Sequence, residues 1–86
     1  MMSAKDLRQK YVRAFVMIIM RPGTSQKIVS SRKIRGIKIA NSVLGRFDAV
    51  AVIEAKDLEE LKKIIYEMIE QHPDVMHTET LLSMQQ

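Results

Sequence analysis

Two segments of this chain, residues 13–20 and 47–55, are apolar on both of their alternating faces, which limits the folds open to it more than any other feature. In the first, Ala14, Val16, Ile18 and Met20 occupy one face and Phe15, Met17 and Ile19 the other. In the second, Phe47, Ala49, Ala51 and Ile53 alternate against Val50 and Val52. Successive side chains of a strand point to opposite sides, so such a strand is covered twice or lies in the middle of a sheet. Pro22-Gly23 ends the first strand. At 86 residues there is room for one domain, with a thin core for which oligomerisation is a natural supplement.

The remaining segments read as follows. Residues 1–11 form a short polar arm, and the domain runs over residues 12–86. Residues 24–35 have weak helical character, with Thr24 or Ser25 as the cap and Ile28, Val29 and Ile34 as apolar contacts. Residues 37–44 are a second strand of edge character, with Ile37, Ile39 and Val43 on one face. Gly45-Arg46 predicts a tight hairpin turn into the third strand. Asp57 and Glu60 stand at capping-box spacing before a helix whose Leu58, Leu61, Ile64, Ile65, Met68 and Ile69 make one apolar stripe. Gln71-His72-Pro73 stops that helix. A last strand, residues 74–84, puts Met76, Thr78, Thr80 and Leu82 on one face and Val75, His77, Glu79 and Leu81 on the other.

Strand, helix, strand, strand, helix, strand is an α+β arrangement, the split βαβ or ferredoxin-like fold. Among its common packings, the antiparallel order 4-1-3-2 puts the two doubly apolar strands in the centre, with both helices on one face. The face bearing Phe15, Met17 and Ile19 is then apolar and uncovered. A patch of that size calls for a partner, and a dimer through the sheet face is expected.

Little in the sequence points to catalysis. There is no cysteine, which removes disulfides, thiolate metal sites and cysteine nucleophiles. His72 stands before Pro73 at a helix end, where a histidine caps carbonyls, and His77 lies on an edge strand. No Gly-rich phosphate loop, nucleophile elbow or metal-binding helix motif appears, so neither enzyme nor cofactor is expected. The longest apolar run, residues 14–20, is seven residues against the roughly 20 that span a bilayer. Lys5, Arg8, Lys10 and Arg13 imitate the start of a signal peptide, but Arg21-Pro22 closes the run with no cleavage site behind it; a cytoplasmic protein is expected. Net charge is +4, with Lys27, Arg32, Lys33, Arg35 and Lys38 in a stretch free of acids from Asp6 to Asp48. No aromatic is interleaved there to stack on bases, so it reads as a solvated surface rather than a nucleic-acid site.

The segment 44–48, Leu44-Gly45-Arg46-Phe47-Asp48, carries more than packing requires. A hairpin turn needs its glycine but not an aspartate entering a buried strand. Asp48 either accepts from an amino group or from the backbone amides of a neighbouring chain, or ties its own turn by an Asx-type bond. Spacing leaves both open.

The run Ala14-Phe15-Val16-Met17-Ile18, then Pro22-Gly23, Gly45-Arg46-Phe47-Asp48, Asp57-Leu58-Glu59-Glu60-Leu61 and Thr78-Glu79-Thr80 resembles the effector domain of the Lrp/AsnC family. The likeness runs from about Val12 to Met84, and its most specific part is the spacing from Pro-Gly to Gly-x-x-Asp. The resemblance implies a ferredoxin-like domain that dimerises through its sheets and stacks into an octamer of four dimers. It implies amino-acid binding between dimers at the turn between the second and third strands. Gly45, Arg46 and Asp48 would carry over as ligand-binding residues, Asp48 facing the ligand ammonium, with Thr78 and Thr80 near the pocket. The resemblance is to the stand-alone form without a helix-turn-helix, which implies no sequence-specific DNA binding by this chain and full-length regulators of the family as further partners. Two alternatives stand beside this effector module: a purely structural assembly partner, suggested by the extra charge of Arg46, and a small enzyme of the dimeric α+β barrel kind.

Overall fold

The structure, a computed structural model, describes residues 11–30 and 36–84. The expected arm therefore lies outside the described residues apart from Tyr11, as do residues 31–35 of the expected first helix. The described elements are β1 (Val12–Met20), α1 (Gln26–Val29), β2 (Ile37–Ser42), β3 (Ala49–Ala55), α2 (Leu58–Ile65), a π-helical turn (Tyr66–Glu70) and β4 (Val75–Met84). The strands form one antiparallel sheet in the order β2-β3-β1-β4, which is the expected 4-1-3-2 read from the other edge.

The core lies on one face of this sheet. Ala14, Val16, Ile18 and Met20 of β1 and Ala49, Ala51, Ile53 and Ala55 of β3 pack beneath Ile28 of α1, Leu61 and Ile65 of α2, and Ile69. Alanine at so many sheet positions is the local reason two helices sit close to the strands. The short side chains leave the space that isoleucine and leucine fill from above.

Local chemistry explains most of the boundaries. Arg21 to Thr24 form a turn closed by the Thr24 amide on the Arg21 carbonyl at 3.1 Å, with proline second and Gly23 third at φ +81°. That is the residue pattern of a type II turn. Thr24 Oγ1 also donates to the Arg21 carbonyl at 2.7 Å, and Ser25, already helical, makes no side-chain cap bond. The expected Thr24 or Ser25 cap is thus corrected: one hydroxyl closes the turn before α1 and the other lies against Ser42 Oγ at 3.1 Å. At α2 the cap is as expected. Asp57 Oδ1 accepts from the Glu60 amide at 2.8 Å, and Glu60 Oε1 accepts in return from the Lys56 amide at 2.9 Å. The π turn, marked by the Gln71 amide on the Tyr66 carbonyl at 3.0 Å, answers a stripe spaced four and four at Leu61, Ile65 and Ile69. A helix of 3.6 residues per turn drifts off such a stripe, and the wider turn draws it back over the sheet.

Two bulges overturn expected face assignments. Between Ile37 and Ile39 the register of β2 against β3 shifts, so Ile37 opposes Ile53 on the core face while Ile39 opposes Val52 on the open face. Ala40 turns inward in its place. Between Ile19 and Met20 the pairing of β4 shifts likewise. Val75 therefore opposes Met20 and packs on the core, and Met76, expected to face with Thr78, is exposed. An extra residue in one strand reverses every side chain beyond it. β2 also ends at Ser42, and the connection to β3 is six residues, 43–48, rather than a tight turn.

Gly36 enters β2 with φ +93°, and a Cβ there would stand 2.7 Å from Ile64 Cδ1 and 3.4 Å from the Glu54 carbonyl. Gly36→Ala should destabilise the domain by about 1–2 kcal/mol, combining the left-handed backbone penalty with displacement of Ile64. Urea unfolding followed by circular dichroism should show a lower midpoint with unchanged slope.

Candidate ligand-binding site

The 43–48 loop is built from its two ends. The Val43 amide donates to the Asp48 carbonyl at 3.0 Å, closing the loop. The Asp48 amide donates to the Ile18 carbonyl at 2.9 Å, and Asp48 Oδ2 accepts from the Met20 amide at 2.8 Å. Asp48 is half-buried and anchors the loop to the end of β1, 28 residues away in sequence. The Asx-type bond within the turn is corrected by this geometry: the carboxylate reaches an amide of another strand of its own chain. Gly45 takes φ +135°, with open space where a Cβ would stand, so the glycine serves the backbone angle alone. Arg46 is exposed, its Cζ 5.6 Å from the centre of the Phe47 ring.

Thr78 and Thr80 stand elsewhere. Opposite Ile18 and Val16 in the β1–β4 ladder, both belong to the helix-covered side of the sheet. Thr80 lines a groove of about 510 Å³ between α2 and β4, walled by Leu58, Leu61, Ile65, Tyr66 and Leu82. Thr78 flanks Ile18 from one side as Ala49, next to Asp48, does from the other, two strand spacings or about 10 Å apart. Within one chain, then, Gly45, Arg46 and Asp48 come together, and Thr80 lines a groove apart from them.

The other sheet face is open. Phe15, Met17 and Ile19 of β1 share it with Val50 and Val52 of β3, all half-buried, and with the exposed Ile39 and Leu81. At one end Arg13 and Glu54 form a salt bridge at 2.6 Å, with Arg13 Nε also 2.8 Å from Glu54 Oε2.

A second charged cluster, unforeseen in the sequence, joins the end of β1, α1 and the start of β4, segments distant along the chain. Asp74 holds Lys27 Nζ at 2.9 Å and lies 3.7 Å from Arg21 Nε. The Lys27 hydrogen bond foremost, helped by the charges of Lys27, His72 and Arg21, keeps the Asp74 carboxyl below its ordinary value of 3.8 despite the opposing effect of burial. His72 does not cap carbonyls with its ring as expected. Its Nδ1 accepts from the Asp74 amide at 3.1 Å, while its own amide reaches the Ile69 carbonyl at 3.0 Å. Among the described residues no group of three or more His, Cys, Asp or Glu side chains is placed to hold a metal ion, and no helix is long and apolar enough to cross a membrane.

An antiparallel ferredoxin-like sheet with helices on one face and an apolar second face defines a class of small α+β domains. Within that class the sequence is more specific: the Lrp/AsnC ligand binding domain model matches residues 13–86, and the chain belongs to that family. TTHA0845 from Thermus thermophilus is similar at 32% identity, covering 87% of this chain and 95% of that one, with a TM-score of 0.79. The hypothetical protein PHS023 from Pyrococcus horikoshii is similar at 24% identity, covering 87% and 92%, with a TM-score of 0.81. The transcriptional regulator NMB0573 from Neisseria meningitidis, in complex with L-Met, shares the fold at 12% identity over 99% of this chain and 56% of its own, with a TM-score of 0.74. No curated protein matches the chain.

Proposed function

We propose that this chain is an effector-binding and oligomerisation module that senses an amino acid or related metabolite where dimers meet, and that it modulates full-length regulators of its family. It is a non-enzymatic, cytoplasmic protein on this reading, and sequence-specific DNA contacts come from its partners. The observation that carries the reading is the 43–48 loop of an Lrp/AsnC ligand-binding domain, locked to β1 by both the backbone and the side chain of Asp48. A preformed loop spares the ordering cost of binding. Its chemistry suits an amino acid: Arg46 offers a charge to the carboxylate and Asp48 one to the ammonium. The L-Met bound by the Neisseria regulator is the kind of ligand meant. The apolar open face supplies the dimer contact.

One observation favours the structural alternative. The Asp48 carboxylate already holds the Met20 amide, which gives it a reason to be present without a ligand. Thermal-shift screening of the twenty amino acids separates the two. At a hundredfold excess over its dissociation constant, a ligand of the folded state contributes about 2.7 kcal/mol, a rise of roughly 10 °C or more for a domain this size. A melting point unmoved by all twenty, in an intact assembly, would leave the structural role.

A further inference from the structure

Four exposed side chains of α2 and its π turn, Leu58, Lys62, Tyr66 and Glu70, line one side of the groove against β4. Four residues overshoot a full turn of α-helix and fall short of one in the wider π turn. Lys62 and Glu70 therefore return to one line, four residues to either side of Tyr66. Leu58 and Tyr66, with Leu82 across the groove, are each about half exposed and leave an apolar strip without cover. Among the described residues neither Lys62 nor Glu70 has an ion-pair partner. Lys63 and Glu67 repeat the order beside them, lysine before Tyr66 and glutamate after it, and are unpaired likewise.

A stripe with opposite charges at equal distances from its centre is complementary to itself. In a two-fold contact residue i meets residue j of the other copy, and j meets i. With the axis at Tyr66 and the helices antiparallel, Lys62 of each copy meets Glu70 of the other while the two Tyr66 rings pack together. A parallel pairing sets like charge on like, and a partner of one charge sign satisfies one end of the stripe and is repelled by the other. We propose that the α2 stripe is an interface with the same stripe of a second copy, an isologous contact centred on Tyr66. It lies on the helix-covered side of the sheet, opposite Phe15, Met17 and Ile19, so one copy can make this contact and the sheet-face contact together. Two distinct two-fold contacts on one copy join sheet dimers into larger assemblies. The inference rests on the assembly half of the proposed function and is independent of its ligand.

Charge exchange tests it. Lys62→Glu and Glu70→Lys are made singly and together, at exposed positions where far-ultraviolet circular dichroism should stay unchanged. Each single exchange leaves like charges at both ends of the stripe, and the two-fold axis doubles the clash. Each should raise the dissociation constant of the α2 contact about tenfold in sedimentation over rising concentration. The single variants should then stop at the sheet dimer, twice 9.9 kDa, where the unsubstituted chain goes beyond it. The double variant carries the same stripe reversed and should assemble as the unsubstituted chain does. An equal mixture of the two single variants should assemble as well, since one is acidic at both ends and the other basic. Single variants that assemble normally, or a double variant that stays dissociated, would overturn the proposal. So would opposite effects of the two single exchanges, the mark of a partner of one charge sign. The two contacts fail separately: a mass fixed at twice 9.9 kDa in every charge variant removes the α2 contact and keeps the sheet dimer. Loss and recovery across the charge variants, with Met17→Glu without effect, does the reverse.

Discussion

Met17→Glu should leave a folded chain that light scattering at micromolar concentration finds as a 9.9 kDa species, where the unsubstituted protein should be found as a dimer or larger. Met17 lies at the middle of β1, between Val50 of β3 and Glu79 of β4, and is half-buried on the open face before any partner arrives. In a sheet-to-sheet dimer its surroundings become Phe15, Ile19, Val50, Val52 and their counterparts. A carboxylate there loses its water with no cation on its strand nearer than Arg13, which Glu54 already holds. Glu79 directly across the ladder adds like-charge repulsion. Leaving a buried charge unpaired costs roughly 3–5 kcal/mol, which weakens association by two to nearly four orders of magnitude. The core on the opposite face is untouched, so far-ultraviolet circular dichroism should stay unchanged. An undiminished mass for the variant would mean that this face is not the interface.

Asp48→Asn carries the second large effect, on ligand affinity. A charge-assisted bond to a ligand ammonium contributes roughly 1.5–3 kcal/mol, so the substitution should weaken binding by about one to two orders of magnitude in calorimetric titration. The fold should survive, because the asparagine oxygen can still accept the Met20 amide that Asp48 Oδ2 holds at 2.8 Å. Arg46→Ala is the contrasting variant. It removes the proposed partner of a ligand carboxylate and the contact with Phe47, and at an exposed site the latter is worth only about 0.5–1 kcal/mol to the fold. Unchanged affinity in Asp48→Asn, in an intact assembly, would leave Asp48 as the anchor of the loop and nothing more.

The legible part of the site was its composition, and the illegible part its arrangement. Gly45, Arg46 and Asp48 stand close in sequence, and a loop at that place was predictable from the glycine alone. That Asp48 would tie its loop to Met20 was not, since the bond depends on β1 and β3 lying side by side. Nor could spacing reveal that Thr80 faces a groove beside α2, because that follows from the pairing of Thr80 with Val16 across the sheet.

Much of the fold was written in short-range patterns. The double alternation of β1 and β3 required central strands, and Asp57 with Glu60 announced the start of α2, because alternation and caps act within a few residues of the chain. The tertiary structure alone decided the exceptions. Ile39 was turned outward and Val75 inward by bulges, and the helix was widened at Tyr66 so that Ile69 could reach the sheet. Each is settled by register against a neighbour distant in sequence. A one-residue shift there reverses which side chains are buried, and the energy that chooses between registers comes from packing across the whole sheet rather than from any local preference of the residues involved.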